Sequence, residues 1–217
     1  MTVELALKWG LPNRWLLERH SRAIFKAVRA GSTNALDHAL VAMLWAVSGY
    51  STEAMVRKMA PTGASVVSDA GERLGRLLRE ADQEHINRGV LFWEHTLGNQ
   101  TLPGEALRGF GWWAEVEELD QDRWEQLTFA TSQRAQGSLA WCVKVAERCS
   151  REPITATGLG ILASLLRGQH DPWERPQVAE VAFAALRASG SDSRLSEARE
   201  RLRAVLIDLG YFEAADM

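Results

Sequence analysis

The chain has 217 residues, 46 % of them apolar and 24 % charged, with a net charge of -3. That length holds one core or two small domains, and the composition excludes a disordered chain. A near-neutral balance gives no global attraction to nucleic acid or to an anionic membrane, and the abundance of Ala, Leu, Arg and Glu favours helix throughout.

In chain order, Asn13 is placed to cap a helix carrying Leu17, Ile24 and Val28, ended by Gly31. Thr33 or Asn34 opens a second helix. Its run Ala39–Val47 is apolar on all sides, so it predicts a central helix covered all round, closed by Gly49. A short segment over Thr52–Ala60 stops at Pro61. Val67, Ala70, Leu74, Leu77, Leu78 and Ala81 form the next helical stripe, and Ile86, Val90, Trp93 and Leu97 another, ended by Gly98 and Asn99. The stretch Pro103 to Leu119 is helical by pattern despite Gly109 and Gly111, each of which weakens a helix by about 1 kcal/mol relative to Ala.

Asp120 or Asp122 is placed to cap a helix with Trp124 and Leu127. Gly137 and Ser138 break it and start one bearing Leu139, Cys142, Ala146 and Cys149. Pro153 opens a helix with Ile161, Leu162, Leu165 and Leu166. Asp171-Pro172 makes a turn, and Gln177 to Ala188 is helical, stopped by Gly190. Leu195, Ala198, Leu202, Val205, Leu206 and Leu209 stripe a final helix that Gly210 ends as a C-cap. No strand reading competes. The N-terminus lacks a signal layout and no apolar run reaches membrane-spanning length, so the expected setting is soluble and cytoplasmic.

Sliding the chain by 39 residues lays Leu139, Cys142 and Ala146 on Val178, Val181 and Ala185; a slide of 40 lays Leu162, Leu165 and Leu166 on Leu202, Val205 and Leu206. Glu147 falls opposite Leu186. With two helices per repeat and Asp-Pro at a boundary, residues 138–210 resemble the HEAT or armadillo class of helical repeat. The resemblance implies that 138–168 and 174–210 are successive, superposable hairpins. The fold expectation is all-α: either stacked antiparallel hairpins in a HEAT-like solenoid or an irregular helical bundle. Residues 1–217 read as a single domain, with 1–100 bundle-like and 101–217 hairpin-like as a subdivision. Upstream of 138 no clear third copy is found.

Charge is unevenly spread. Residues 1–30 hold six basic groups, and 105–125 hold seven acids against Arg108 and Arg123. Two complementary patches or two solvated faces both fit, the second being the commoner case.

Apparent catalytic motifs fail on context. Gly158-Leu159-Gly160-Ile161-Leu162-Ala163 spells a dinucleotide fingerprint, but its flanks are helical and it belongs to no strand–turn–helix unit, so close helix packing is the better reading. His20, His38, His85, His95 and His170 form no pair at metal-binding spacing. Glu118, Asp122 and Glu125 make an acidic row only if their helix is continuous. Cys142 and Cys149 lie too far apart along a helix, roughly 10 Å, for a disulfide, and share the apolar stripe with Leu139 and Ala146; they read as buried, unreactive thiols. No cofactor and no metal site is expected, and no residue is assigned a catalytic role.

Tryptophan is the unusual feature, with nine in the chain. Trp45, Trp93, Trp124 and Trp141 fall within apolar patterns and read as core. Trp112 and Trp113 cannot both point inward, because adjacent helix positions diverge by about 100°. Trp173 stands beside Arg175 on an expected loop between Pro172 and Pro176. Exposed Trp beside Arg is the composition of a binding hot spot, while a large aromatic also serves to plug a gap between helices. Trp112, Trp113, Trp173 and Arg175 are therefore the candidate binding residues. The function expected is a non-enzymatic module for binding or scaffolding a protein partner. The alternative rests on Gly111-Trp112-Trp113-Ala114-Glu115, which resembles the tryptophan doublet followed by an acid in HEAT-like alkylpurine DNA glycosylases. That resemblance implies nucleic-acid binding, although Ala114 stands where the acid should follow directly, and the surrounding net negative charge disfavours phosphate.

Overall fold

The computed structural model describes residues 68, 71, 72, 74–76, 78–98, 100, 102–168, 173–190 and 192–217. The expected helices before residue 68, the basic start of the chain, Trp45, His20, His38 and His170, and the side chains of His85 and His95 lie outside the described residues. Secondary structure is 75 % helix, with no strand among the described residues. The all-α expectation holds. None of the described helices is long and apolar enough to cross a membrane.

Every described position from 68 to 78 is helical, and Leu74 and Leu78 are fully buried. Helix α1 spans Gln83–Gly98 and buries Ile86 and Trp93 completely. A 3-10 segment follows over Gly104–Glu115. Helix α2 spans Gln121–Arg134, α3 Cys142–Cys149 and α4 Ala156–Arg167. Helix α5 spans Glu174–Ala188 and α6 Ser196–Asp208, with a short 3-10 turn at Phe212–Asp216.

The boundaries have local causes. Asp120 accepts the amide hydrogen bond of Arg123 at the start of α2, and Thr155 accepts that of Gly158 at the start of α4. At the end of α6, Gly210 adopts a φ of +90°, Tyr211 N–H donates to Leu206 O and Gly210 N–H to Ile207 O. This pair of bonds is the Schellman closure, which a glycine at that position permits without steric cost.

The segment after Pro103 departs from expectation. It is helical but 3-10 rather than α, ends at Glu115, and is far longer than the three or four residues usual for this geometry. Its neighbours explain this. A Cβ on Gly109 would stand 1.8 Å from Ser68 O, and one on Gly111 1.8 Å from Ala140 O. Ala140 N–H donates to Arg108 O at 2.9 Å. Two backbones thus lie against this segment. Its glycines are there for close approach, a benefit that outweighs their intrinsic helix penalty.

The contacts between elements form a ladder. The 3-10 segment packs on α2, α3 on α4, and α5 on α6; the first members of these hairpins pack on one another in order, and so do α2, α4 and α6. The hairpin formed by the 3-10 segment and α2 takes the same place in this ladder as the two read from the sequence. The core is continuous, running from Leu74 through Trp93, Phe110, Trp113 and Trp124 to Leu206 and Ala214.

Candidate interaction surface

Helix α5 begins at Glu174, three residues earlier than the pattern suggested, so Trp173 is its N-cap residue rather than part of a loop. Pro176 falls in the first turn, where its missing N–H breaks no helical hydrogen bond. Gln177 Nε2 donates to Trp173 O at 3.0 Å, and Glu174 is tied to α3 by the Cys142 thiol, whose Sγ donates to Glu174 Oε2 at 3.3 Å. Both contacts hold the start of α5 immediately after Trp173. Its indole is 81 % exposed, the highest value among the exposed large apolar side chains. Arg175 is half-buried, and its buried Nε has no hydrogen-bond partner among the described residues.

The doublet is placed differently. Trp113 is fully buried in an aromatic cluster with Trp93 and Phe110, and its Nε1 donates to Gly71 O at 2.9 Å. Trp112 is half-buried, with the Arg76 guanidinium 3.8 Å over its ring and Trp141 packed edge-on. Glu115 forms an ion pair with Arg79. All three side chains of the doublet motif are engaged within the protein, and Trp113 offers no surface to a ligand. Buried Trp113 cannot share a surface patch with Trp173, whereas Trp112 packs on Trp141, whose neighbour Cys142 bonds Glu174.

Trp93 and Trp124 are core residues as expected. Trp141 is a correction: it is half-buried, with a φ of +56° as the N-cap of α3. Turning the chain into α3 at this residue swings the indole off the apolar stripe and onto Trp112.

The remaining sequence candidates resolve as packing. Gly158–Ala163 lies inside α4, and a Cβ on Gly160 would stand 2.9 Å from the Phe129 ring of α2. Close helix–helix approach is what those small residues permit. The acidic row is broken by the cap at Asp120: Glu118 and Asp122 are exposed while Glu125 is buried. Cys142 and Cys149 are free and buried. Burial and the Glu174 hydrogen bond push the Cys142 thiol up to about 12, and burial raises that of Cys149 well above its usual value. Among the described residues no three His, Cys, Asp or Glu side chains gather in a way that would hold a metal ion.

One buried polar network escaped the pattern reading. Arg148 is 2 % exposed and donates to Val116 O at 2.7 Å, Leu119 O at 2.6 Å and Gln121 Oε1 at 3.0 Å. Its guanidinium also lies 4.6 Å over the Trp124 ring. Gln121 Nε2 donates to Glu125 Oε1 at 2.9 Å, and Thr155 Oγ1 donates to Glu125 Oε2 at 2.5 Å. Burial lowers the Arg148 guanidinium to about 10, so it remains a cation at neutral pH. The chain of bonds ties the end of the 3-10 segment to the starts of α2 and α4. Its cation is buried while Gln121 and Thr155 are half-buried at the edge, and the network reads as architecture.

A surface groove of about 690 Å³ lies between α5, α6 and the C-terminal turn, lined by Glu180, Phe183, Arg187, Arg199, Tyr211 and Glu213 among others. Phe183 and Tyr211 meet edge-on at 6.1 Å. Next to Tyr211, Phe212 is 71 % exposed. The Tyr211-Phe212 pair directly after the Gly210 helix stop is a sequence signal that could have marked this rim. No protein-family model, curated protein or solved structure matches the chain.

Proposed function

We propose that this chain is a non-enzymatic interaction module of HEAT-like stacked hairpins, which binds a protein partner through Trp173 and Arg175. The observation that carries the reading is the exposure of Trp173 on a helix start held by Gln177 and by the Cys142–Glu174 contact. A large aromatic that stays in water forgoes about 2–3 kcal/mol of burial free energy, which a partner pocket recovers. Because the supporting backbone is already fixed, little ordering entropy opposes that gain. Arg175 sits two residues on and is half-buried, so the part of it that reaches solvent sets a positive charge at the edge of the Trp173 surface for a partner carboxylate. The ladder of first members on first members and second on second is the packing expected of helical repeats, and it supports the stacked-hairpin part of the proposal. A reducing compartment such as the cytoplasm suits the two free thiols.

The test is a photo-crosslinking aromatic residue placed at position 173 of the full chain in its native cells. A control crosslinker goes at Gln126, an exposed position on α2. The proposal expects one dominant protein adduct from position 173 and not from 126. Identical adducts from both positions would contradict it.

A further inference from the structure

We infer that the outer face of α5 is the seam of a twofold-symmetric dimer of this chain. Glu180, Ala184 and Arg187 are exposed along α5, and Phe183 is half-buried beside them. Glu180 and Arg187 are seven residues apart, which places them about 10 Å apart along the axis and within about 20° of the same direction. Neither makes an ion pair or a hydrogen bond with a described residue. A twofold axis midway between them passes between Phe183 and Ala184. Laid antiparallel across that axis, two copies of α5 bring each Glu180 to the other copy's Arg187. Each Phe183 then faces the other copy's Phe183 on one side of the Glu180–Arg187 line, and each Ala184 faces the other copy's Ala184 on the opposite side.

Such self-complementarity is what an isologous interface requires, since one patch must serve as both halves of the contact. The groove beside this face gives the second copy's side chains somewhere to enter. Arg199 and Glu213 line it from α6 and the C-terminal turn, and Phe212 adds apolar surface next to them. A single helix face with its rim buries less than the roughly 800 Å² per partner of a standard interface, so the association expected is weak, in the micromolar range. Trp173 stands two helical turns before Glu180 on the same side of the helix, so the seam is tested with variants at Glu180 and Arg187 that leave Trp173 in place.

The test exploits the symmetry. Purified full-length chain is followed by sedimentation equilibrium over a micromolar concentration series, with E180R and R187E measured singly and mixed. Alone, each variant sets like charges opposite each other at both contacts and should weaken dimerisation on the order of tenfold or more. Mixed in equal amounts, the two variants regain opposite charges at both contacts, so a heterodimer as tight as the original should form. Restoration on mixing also demonstrates that both variants are folded. A chain that stays monomeric throughout the series would overturn the inference, as would a mixture no tighter than the separate variants. A groove meant for a different protein or a small ligand would give that second result.

Discussion

Replacing Arg148 with Met removes the cation from the buried network while keeping most of the side-chain volume. Three well-formed acceptors then lose their donor: Val116 O, Leu119 O and Gln121 Oε1. The carbonyls of Trp113 and Ala114, at 3.4 Å and 3.5 Å, are at the limit of bonding and contribute little. Hydrogen bonds to a charged group contribute about 1.5–3 kcal/mol each, which gives a gross loss of roughly 4–9 kcal/mol. Against this stands the several kcal/mol no longer needed to desolvate a guanidinium. The net expectation is a destabilisation of about 3 kcal/mol. Arg148→Lys should cost nearly as much, because an ammonium cannot reproduce the fork that spans these acceptors. The comparison is Arg151→Met, which removes an exposed ion pair with Glu117 and should cost less than about 1 kcal/mol. Urea unfolding followed by circular dichroism measures all three. An Arg148→Met midpoint as high as that of Arg151→Met would refute the view that this network holds the 3-10 segment to α2 and α4.

Gly111→Ala should destabilise by more than about 2 kcal/mol, because its Cβ would meet the Ala140 carbonyl and the backbone there must move; thermal melting checks this. Gly98→Ala, with nothing within 4 Å of the added carbon, should change stability by no more than about 1 kcal/mol. Cys142 and Cys149 should resist a thiol reagent in the folded chain and react on unfolding, as mass spectrometry of labelled protein would show; rapid labelling of either would contradict their burial. The same thiols make stability pH-dependent. Their folded values are raised, so between 9.0 and about 12 the folded state holds protons that the unfolded chain has lost, and stability falls as pH rises through that window. A Cys142→Ala/Cys149→Ala variant should lose less melting temperature than the parent over that range.

The last three helices were legible because their stripes are long and their stops are glycines or caps. Helix α5 starts three residues before the predicted Gln177, because a proline in the first helical turn, here Pro176, is compatible with helix. The 3-10 geometry of Gly104–Glu115 was not legible, since its cause lies in the Ser68 and Ala140 carbonyls, remote in sequence. Arg148 follows Val145 by three positions on the face of α3 that carries Cys142 and Cys149, but its acceptors belong to distant backbone. On the surface, the sequence left Trp173 either exposed or plugging a gap between helices, and its exposure follows from its place at the N-cap of α5. Which half of the Trp112–Trp113 doublet turns inward was not, because that depends on the carbonyl of Gly71.

The central claim is that Trp173 is kept for binding, and a Trp173→Ala variant tests it most directly when binding and melting are measured on the same protein. Once the partner captured from position 173 is in hand, its dissociation constant for the variant should rise by about 30-fold or more, the loss of roughly 2 kcal/mol that marks a hot spot. The melting temperature should stay within about a degree or two, since 81 % of this side chain is already in water. Unchanged affinity, or a melting loss as large as that of a buried tryptophan, would contradict the account.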